Sequence, residues 1–178
     1  DCDDQYPYRQ ALFGDLHVHT TYSFDVFSFG VTTTPEQAYR FAKGESIDYL
    51  PVNETGEMEG TIRIDRPLDF MAVTDHAEFL GEYQLCMSSG SADYNSAYCE
   101  DLRKGGRAAI MATGALLALD QPQRIAEFCT DDNEKCVTAS AQLWQKIITA
   151  AENAHDDSSD CSFTALVGYE YTGTPSTS

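Results

Sequence analysis

Three short apolar segments of this chain each lead into polar side chains of the kinds that bind divalent metal ions. They predict strands from Ala11 to His19, within residues 67–76 and over residues 163–172. Helical patterns fill most of the intervals, so right-handed crossovers and parallel strands are expected. Because the carboxyl ends of parallel strands lie along one edge, the predicted fold class is α/β with its polar groups gathered there.

The first strand carries a pair of histidines with carboxylates on either side. Alternate side chains of a strand share a face, so Asp15, His17 and His19 are predicted to point the same way, and Asp25 follows in the loop. Neutral imidazole and carboxylate are ligands of zinc, manganese and iron. A His-x-His pair is also common without a metal, so the pair alone favours two solvated surface histidines over a metal site.

Two further groups favour the metal site. The second predicted strand ends in Asp75 and His76, and the third ends in Glu170. Three of the four histidines therefore fall at predicted strand ends. The fourth, His155, lies in a polar segment and is predicted to be a solvated surface residue.

The remaining chain is predicted to be mainly helical. Thr34, Pro35 and Gln37 have the pattern of a capped helix start, and Gly44 is the expected end of that helix. Residues 45–66 predict a hairpin or a long loop. Further helices are predicted over residues 77–87, 94–103, 105–119, 122–129 and 134–154.

Charge and hydropathy restrict the possible partners. The chain has 29 acidic and 11 basic residues, a net charge of −18, which argues against nucleic acid because phosphate backbones require lysine and arginine. The excess acid is interpreted as a solvated surface. No apolar run is long enough to predict a membrane span.

Six cysteines favour disulfides, and hence a periplasmic or secreted protein, because none lies in a Cys-x-x-Cys motif or beside the histidines. Sequence alone does not select one connectivity. Pairing of near neighbours would join Cys86 to Cys99 and Cys129 to Cys136, which leaves Cys2 with Cys161.

The three motifs together resemble the first three motifs of the PHP (polymerase and histidinol phosphatase) superfamily. The segments that carry this resemblance are Asp15–Ser23, Val73–His76 and Gly168–Glu170. Longer segments around them are similar to DUF3604, a bacterial family whose members are often exported. These longer segments are residues 11–20, 66–78 and 168–172, in order within a resemblance that spans about residues 11–174.

The resemblance implies a distorted (β/α)7 barrel that holds two or three divalent ions of zinc, manganese or iron. His17 and His19 would bind the first ion, and Glu170 would bridge the first and second. Asp25 and His76 would bind a third ion. Asp25 lies one residue further from the histidines than in the common His-x-His-Thr-x-x-Ser-Asp form, so it departs from the family pattern.

Other residues of the motifs receive less direct roles. Asp75 is assigned a catalytic role, in which it orients a ligand or a metal-bound water, and a loop-capping carboxylate is the alternative. Tyr22, Glu78 and Tyr171 are candidates for the mouth of the site, although packing or surface roles fit each of them as well.

The family pattern also places ligands after the third strand, and none follows here. The chain is therefore expected to be one domain, residues 1–178, that forms the N-terminal portion of the barrel. Its core would comprise residues 11–76 and 162–172, with a helical insertion at about 77–160. The expected partner is the C-terminal remainder, on a further segment or a separate chain, with the loop at residues 173–178 as a site where cleavage is tolerated.

The predicted function is metal-dependent hydrolysis of a small phosphoester, with a hydroxide shared between two metals as the nucleophile. One alternative is an amidohydrolase-like enzyme that hydrolyses another ester or an amide. The Thr-Asp-His strand and the bridging glutamate favour the phosphoesterase. The other alternative is a metal-binding or assembly module without turnover.

Overall fold

The computed structural model describes residues 8–53, 55, 58–129 and 134–173. In chain order the elements are β1 (Gly14–Val18), α1 (Phe24–Phe27), α2 (Pro35–Ala42), β2 (Ile47–Val52), β3 (Met58–Ile62), β4 (Phe70–Val73), α3 (Leu80–Met87), α4 (Ala97–Lys104), α5 (Arg107–Leu117), α6 (Glu134–Ala154) and β5 (Thr164–Val167).

The central sheet has three parallel strands in the order β1-β4-β5. Phe70 of β4 pairs with Gly14 on one side and with Thr164 on the other. Beyond the strand ends, an isolated parallel bridge joins His76 to Glu170. The predicted α/β class with parallel strands is confirmed, and the complete barrel and the domain division stay predictions.

Close contact between β1 and β4 depends on Gly14. A Cβ atom at this position would collide with the carbonyl oxygen and the ring of Phe70. The absence of a side chain therefore lets the strand that carries His17 lie directly against β4. A hydrogen bond of 2.7 Å from the Thr74 N–H to the Val18 carbonyl joins the carboxyl ends of the two strands.

The predicted start of α2 and the predicted hairpin are both confirmed. Thr34 accepts a hydrogen bond from the Gln37 N–H, and the Gln37 side chain accepts one from the Thr34 N–H, so both ends of a capping box are formed. Strands β2 and β3 pair antiparallel. They form a separate two-stranded sheet within residues 45–66.

Helix α6 packs against α2 and the sheet with its last turns and against α3 with its first half. Its last turns bury Ala150, Ala151 and Ala154 in a cluster with Tyr39 of α2 and with Phe163, which directly precedes β5. Its first half packs against α3, and a Cβ atom at Gly81 of α3 would collide with the Cys136 carbonyl of α6. The helix spans the predicted residues 134–154.

Two sequence-based predictions of secondary structure are wrong. Residues 122–129, predicted as helix, contain turns and irregular backbone instead, and they bury Ile125, Phe128 and Cys129 in the core beneath α3. The third strand ends at Val167 and does not continue to Thr172. Helix α1, which begins directly after Ser23, is an element that the sequence did not predict.

Two of the three predicted disulfides are present. Cys86–Cys99 joins α3 to α4, with a Cα–Cα distance of 4.8 Å, and Cys129–Cys136 joins the irregular segment to α6, with a Cα–Cα distance of 5.8 Å. Cys2 of the third predicted pair lies outside the described residues. No cysteine among the described residues is a free thiol, and none of the described helices is both long and apolar enough to cross a membrane.

Reduction of the disulfides is expected to destabilise the protein by about 2–3 kcal/mol for each of these two bonds, since each closes a short loop in the unfolded chain. Urea unfolding with and without a reductant measures this difference. The double variant Cys86→Ser/Cys99→Ser should reproduce the loss of one bond. Six thiols that react in the native, unreduced protein would contradict the disulfide assignment.

A buried ion pair ties the irregular segment to α3. Glu82 is fully buried, and both of its carboxylate oxygens accept hydrogen bonds from the Arg124 guanidinium, from Nε at 2.8 Å and from Nη2 at 2.7 Å. Such a two-point contact fixes the guanidinium plane as well as its position. The pair helps to hold the residues near position 124 in place, although they form no regular helix.

Candidate metal centre

Asp75 holds the loop that follows β1 against the end of β4. Its two oxygens accept hydrogen bonds from the N–H of Thr20 at 2.5 Å and from the hydroxyl of Thr20 at 2.7 Å. Asp75 is only 1% exposed, and this burial raises its pKa to about 6 although both hydrogen bonds act in the opposite direction. These contacts match the loop-capping alternative, and a catalytic role for Asp75 stays a prediction.

Glu170 is placed beside the end of β4 by two backbone hydrogen bonds. Its N–H donates to the Asp75 carbonyl, and its carbonyl accepts from the Ala77 N–H, both at 3.0 Å. These bonds flank His76, the residue that pairs with Glu170 in the isolated bridge. A residue far along the chain is thereby brought to the same edge of the sheet as the histidines.

The first candidate ligand group consists of His17, His19 and Glu170. Glu170 Oε2 lies 2.8 Å from His17 Nε2 and 2.7 Å from His19 Nε2, and the two nitrogens are 3.1 Å apart. Two ligand atoms of one zinc ion, each at about 2.0–2.1 Å, must lie within about 4 Å of each other. These three atoms meet that condition and therefore fit a divalent ion.

The carboxylate of Glu170 is stabilised by its neighbours. Burial alone would raise its pKa, but the hydrogen bond with His19, the charges of His76 and His19 and the hydrogen bond with His17 together outweigh burial and hold the pKa below its usual range. The carboxylate therefore stays ionised at neutral pH, which is the form that binds a cation.

The second candidate group consists of His19, Asp25 and His76. Asp25 Oδ2 lies 3.2 Å from His19 Nδ1 and 3.7 Å from His76 Nε2. Burial alone would raise the pKa of Asp25, but the hydrogen bond from Ser23 and the neighbouring histidines hold it below its usual range. This group therefore also offers an ionised carboxylate between two imidazoles.

His19 is shared by the two groups. Its Nε2 faces Glu170 and its Nδ1 faces Asp25. A neutral imidazole has one nitrogen with a free electron pair, because the other carries the proton. If Nε2 binds an ion with His17 and Glu170, the Nδ1–H donates to Asp25, and a carboxylate in that place orients a ligating histidine. Asp25 would then orient a ligand of the first group and remain a candidate ligand in the second.

The other predicted residues lie outside these two groups. The Asp15 carboxylate accepts a hydrogen bond from the His17 N–H at 2.9 Å, so it belongs to the strand and not to the ligand cluster. His155 accepts a hydrogen bond from the Ala165 N–H and is exposed, as predicted. Tyr22 packs against Tyr83, and Tyr171 is largely exposed.

An apolar groove of about 580 Å³ opens beside the histidine pair. His17 and His19 form one wall, and apolar side chains of α2, β4 and the hairpin form the others, among them Phe41, Ile62 and Met71. The groove leaves space for a small molecule next to the first candidate ligand group.

A family model described as "Protein of unknown function (DUF3604)" matches residues 6–178. The chain belongs to the DUF3604 family. No curated protein and no solved structure matches it. In this DUF3604 chain the match includes both candidate ligand groups and the two described disulfides.

Ser23 lies beside the candidate ligands, and the sequence suggested no role for it. Its buried hydroxyl donates to Asp25 Oδ1 at 2.6 Å and accepts a hydrogen bond from the His76 N–H at 3.1 Å. It also lies 3.3 Å from His19 Nδ1. Its place in the first motif was the available signal, but only the fold shows that the second strand end lies beside it.

Thr20→Val is expected to lower the free energy of unfolding by about 1–3 kcal/mol, because one oxygen of the buried Asp75 carboxylate loses its hydrogen-bond donor. Urea unfolding of the DUF3604 chain measures the loss. Thr164→Val, at an exposed position of β5, is the matched control and should change stability by no more than about 0.5 kcal/mol. Equal losses in both variants would contradict the role given to Asp75.

Proposed function

We propose that this chain supplies the metal centre of a metal-dependent hydrolase that acts on phosphoesters. The observation that carries this proposal is the convergence of His17 Nε2, His19 Nε2 and Glu170 Oε2, all within 3.1 Å of one another. The three residues come from β1, its following loop and the segment after β5. Ordinary packing does not require three ligand-type atoms from such distant segments to meet.

His17, His19 and Glu170 would hold one divalent ion of zinc, manganese or iron, and His76 with Asp25 would hold another. Such ions, when bound, lower the pKa of water and offset negative charge on a phosphoryl group. The chain's own residues keep the ligands in place. Asp75 and Thr20 hold the loop after β1, and the backbone bonds on either side of His76 hold Glu170.

The charge of the chain supports a role for cations in substrate binding. With a net charge of −18, the chain would repel a phosphoester unless positive charge is concentrated at the site. The described residues around the opening beside Glu170, which include Leu16, Thr74 and Tyr169, contain no lysine or arginine. The cations would therefore supply the charge that binds the substrate.

The sharing of His19 favours a second candidate, a metal-binding or assembly module without turnover. Only Asp25 and His76 belong to the second group alone, and two residues hold a cation less firmly than three. In this case one ion would bind tightly and no hydrolysis would occur.

We further propose that the chain forms part of a PHP-type barrel with strands from a C-terminal remainder. Strands β1 and β5 each lack a second partner strand among the described residues. Each of these edge strands also carries an exposed apolar side chain, since Leu16 is 56% exposed and Val167 is 47% exposed. The two disulfides support a periplasmic or secreted location, where such bonds persist.

The test starts from protein that has been stripped of metal. Zinc and manganese are titrated by calorimetry, and the reloaded protein is assayed on a phosphomonoester, a phosphodiester, a carboxylic ester and an amide. Tight binding with phosphoester turnover supports the proposal. Turnover of the carboxylic ester or the amide alone would favour an amidohydrolase-like enzyme. Tight binding without turnover of any substrate favours the binding module, and no binding contradicts both proposals.

A further inference from the structure

Glu78 is a buried carboxylate beside the second ligand group. Its side chain is only 7% exposed. Oε1 accepts a hydrogen bond from the Thr172 N–H, whereas Oε2 has no hydrogen-bond partner among the described residues. A buried carboxylate oxygen without a partner costs about 1–3 kcal/mol or more, so its position requires an explanation.

The unpartnered oxygen of Glu78 is directed at His76. Glu78 Oε2 lies 3.5 Å from His76 Nδ1, and the Thr172 hydroxyl lies 3.2 Å from the same nitrogen. On the other side of the ring, His76 Nε2 faces Asp25 Oδ2 at 3.7 Å. The two nitrogens of His76 therefore have different surroundings. Nδ1 lies beside the buried Glu78 carboxylate and the Thr172 hydroxyl, with Glu170 Oε1 4.0 Å away, whereas Nε2 faces Asp25.

We propose that Glu78 is a positioning residue that keeps the proton of neutral His76 on Nδ1, so that the electron pair of Nε2 faces Asp25. An ionised carboxylate accepts hydrogen bonds and never donates them, so each carboxylate favours a proton on the nitrogen that it faces. Glu78 Oε2 lies 3.5 Å from Nδ1 and Asp25 Oδ2 lies 3.7 Å from Nε2, so the closer carboxylate favours the proton on Nδ1. The consequence of this inference rests on the proposed metal centre, because Nε2 would then be free to bind an ion there. Carboxylates that orient ligating histidines in this way act on metal affinity without touching the metal.

The backbone of Thr172 makes Glu78→Gln a sharp test. Its N–H requires an acceptor, so the amide oxygen of a glutamine at position 78 should take the place of Oε1. The amide NH₂ then faces His76 Nδ1. Because the new group is a donor, it should move the proton of His76 from Nδ1 to Nε2 with almost no change in side-chain volume.

The experiment reads the tautomer directly from the nitrogen chemical shifts of His76, in metal-free protein at alkaline pH where the imidazole is neutral. We expect the proton on Nδ1 in the wild type and on Nε2 in Glu78→Gln. Zinc titration should show a fall of about 10–100-fold in affinity at the position that includes His76. Glu152→Gln, at an exposed position of α6, is the matched control and should change neither result.

Thr172→Val separates the hydroxyl from the carboxylate, because it removes the hydroxyl near His76 and keeps the backbone N–H. It should leave the proton on Nδ1. A proton on Nε2 in the wild type, or the same tautomer in the wild type and Glu78→Gln, would overturn the proposal. The expected tautomers in a protein that binds no zinc would support the orienting role of Glu78 and refute the metal centre, so the two failures are distinguishable.

Discussion

Glu170→Gln is expected to lower zinc affinity by more than about 100-fold and to abolish hydrolysis. Glu170 Oε2 is the atom that both His17 and His19 approach, at 2.8 and 2.7 Å, so it is the common member of the first ligand group. A neutral amide lacks the charge that binds a cation. Changes next to metal ligands already cost about 10–100-fold in affinity, and loss of a ligand should cost more.

The fold should survive this substitution, because Glu170 is held through its backbone and its side chain is partly exposed. His17→Ala should have the same effect on zinc and on activity, since the His17 side chain is 72% exposed and contributes little to packing. Metal analysis and calorimetry measure zinc binding, and urea unfolding measures stability, with Glu152→Gln as the control. Full zinc content and full turnover in either variant would show that the ligand assignment is wrong.

Arg124→Met is expected to lower the free energy of unfolding by about 3–5 kcal/mol, because it leaves the fully buried Glu82 carboxylate without its partner. For a chain of this length, such a loss lowers the midpoint of thermal unfolding by roughly 10 °C. Methionine keeps much of the volume of the arginine stem, so the expected loss reflects the unpaired charge more than a cavity.

The double variant Glu82→Met/Arg124→Met provides the control for this pair. Replacing both members of a buried ion pair by apolar side chains is often neutral or stabilising. The double variant should therefore be more stable than Arg124→Met alone. A double variant that loses as much as the two single variants added together would show that the two charges do not act as a pair.

The sequence predicted the elements whose pattern is local. The capping box at Thr34, the continuous helix of α6 and the apolar segment of β4 each carry their signal within a few residues. The prediction of a helix over residues 122–129 was wrong because the buried side chains of this segment are fixed by a disulfide and by the Glu82–Arg124 pair. Both of these are tertiary contacts. The third strand is shorter because Gly168 and Tyr169 leave the sheet before the bridge at Glu170.

For the candidate site, too, the sequence predicted the residues but not their tertiary contacts. The residue types and the strand ends identified His17, His19, His76 and Glu170, and the structure brings all four to one edge of the sheet. The hydrogen bonds around them could not be predicted, because they depend on which residues face one another across the sheet. Neither the sharing of His19 nor the direction of the Glu78 carboxylate follows from spacing along the chain.

The separation of 151 residues between His19 and Glu170 has a consequence for the order of events during folding. No early part of the chain contains the complete first ligand group, so an incompletely synthesised chain offers only His17 and His19 of that group. High-affinity binding of an ion at the proposed centre would have to wait until β5 has joined the sheet, which is a late step for contacts so distant in sequence. Metal uptake would thus report completed folding, and an ion captured at that point would stabilise the native state by mass action.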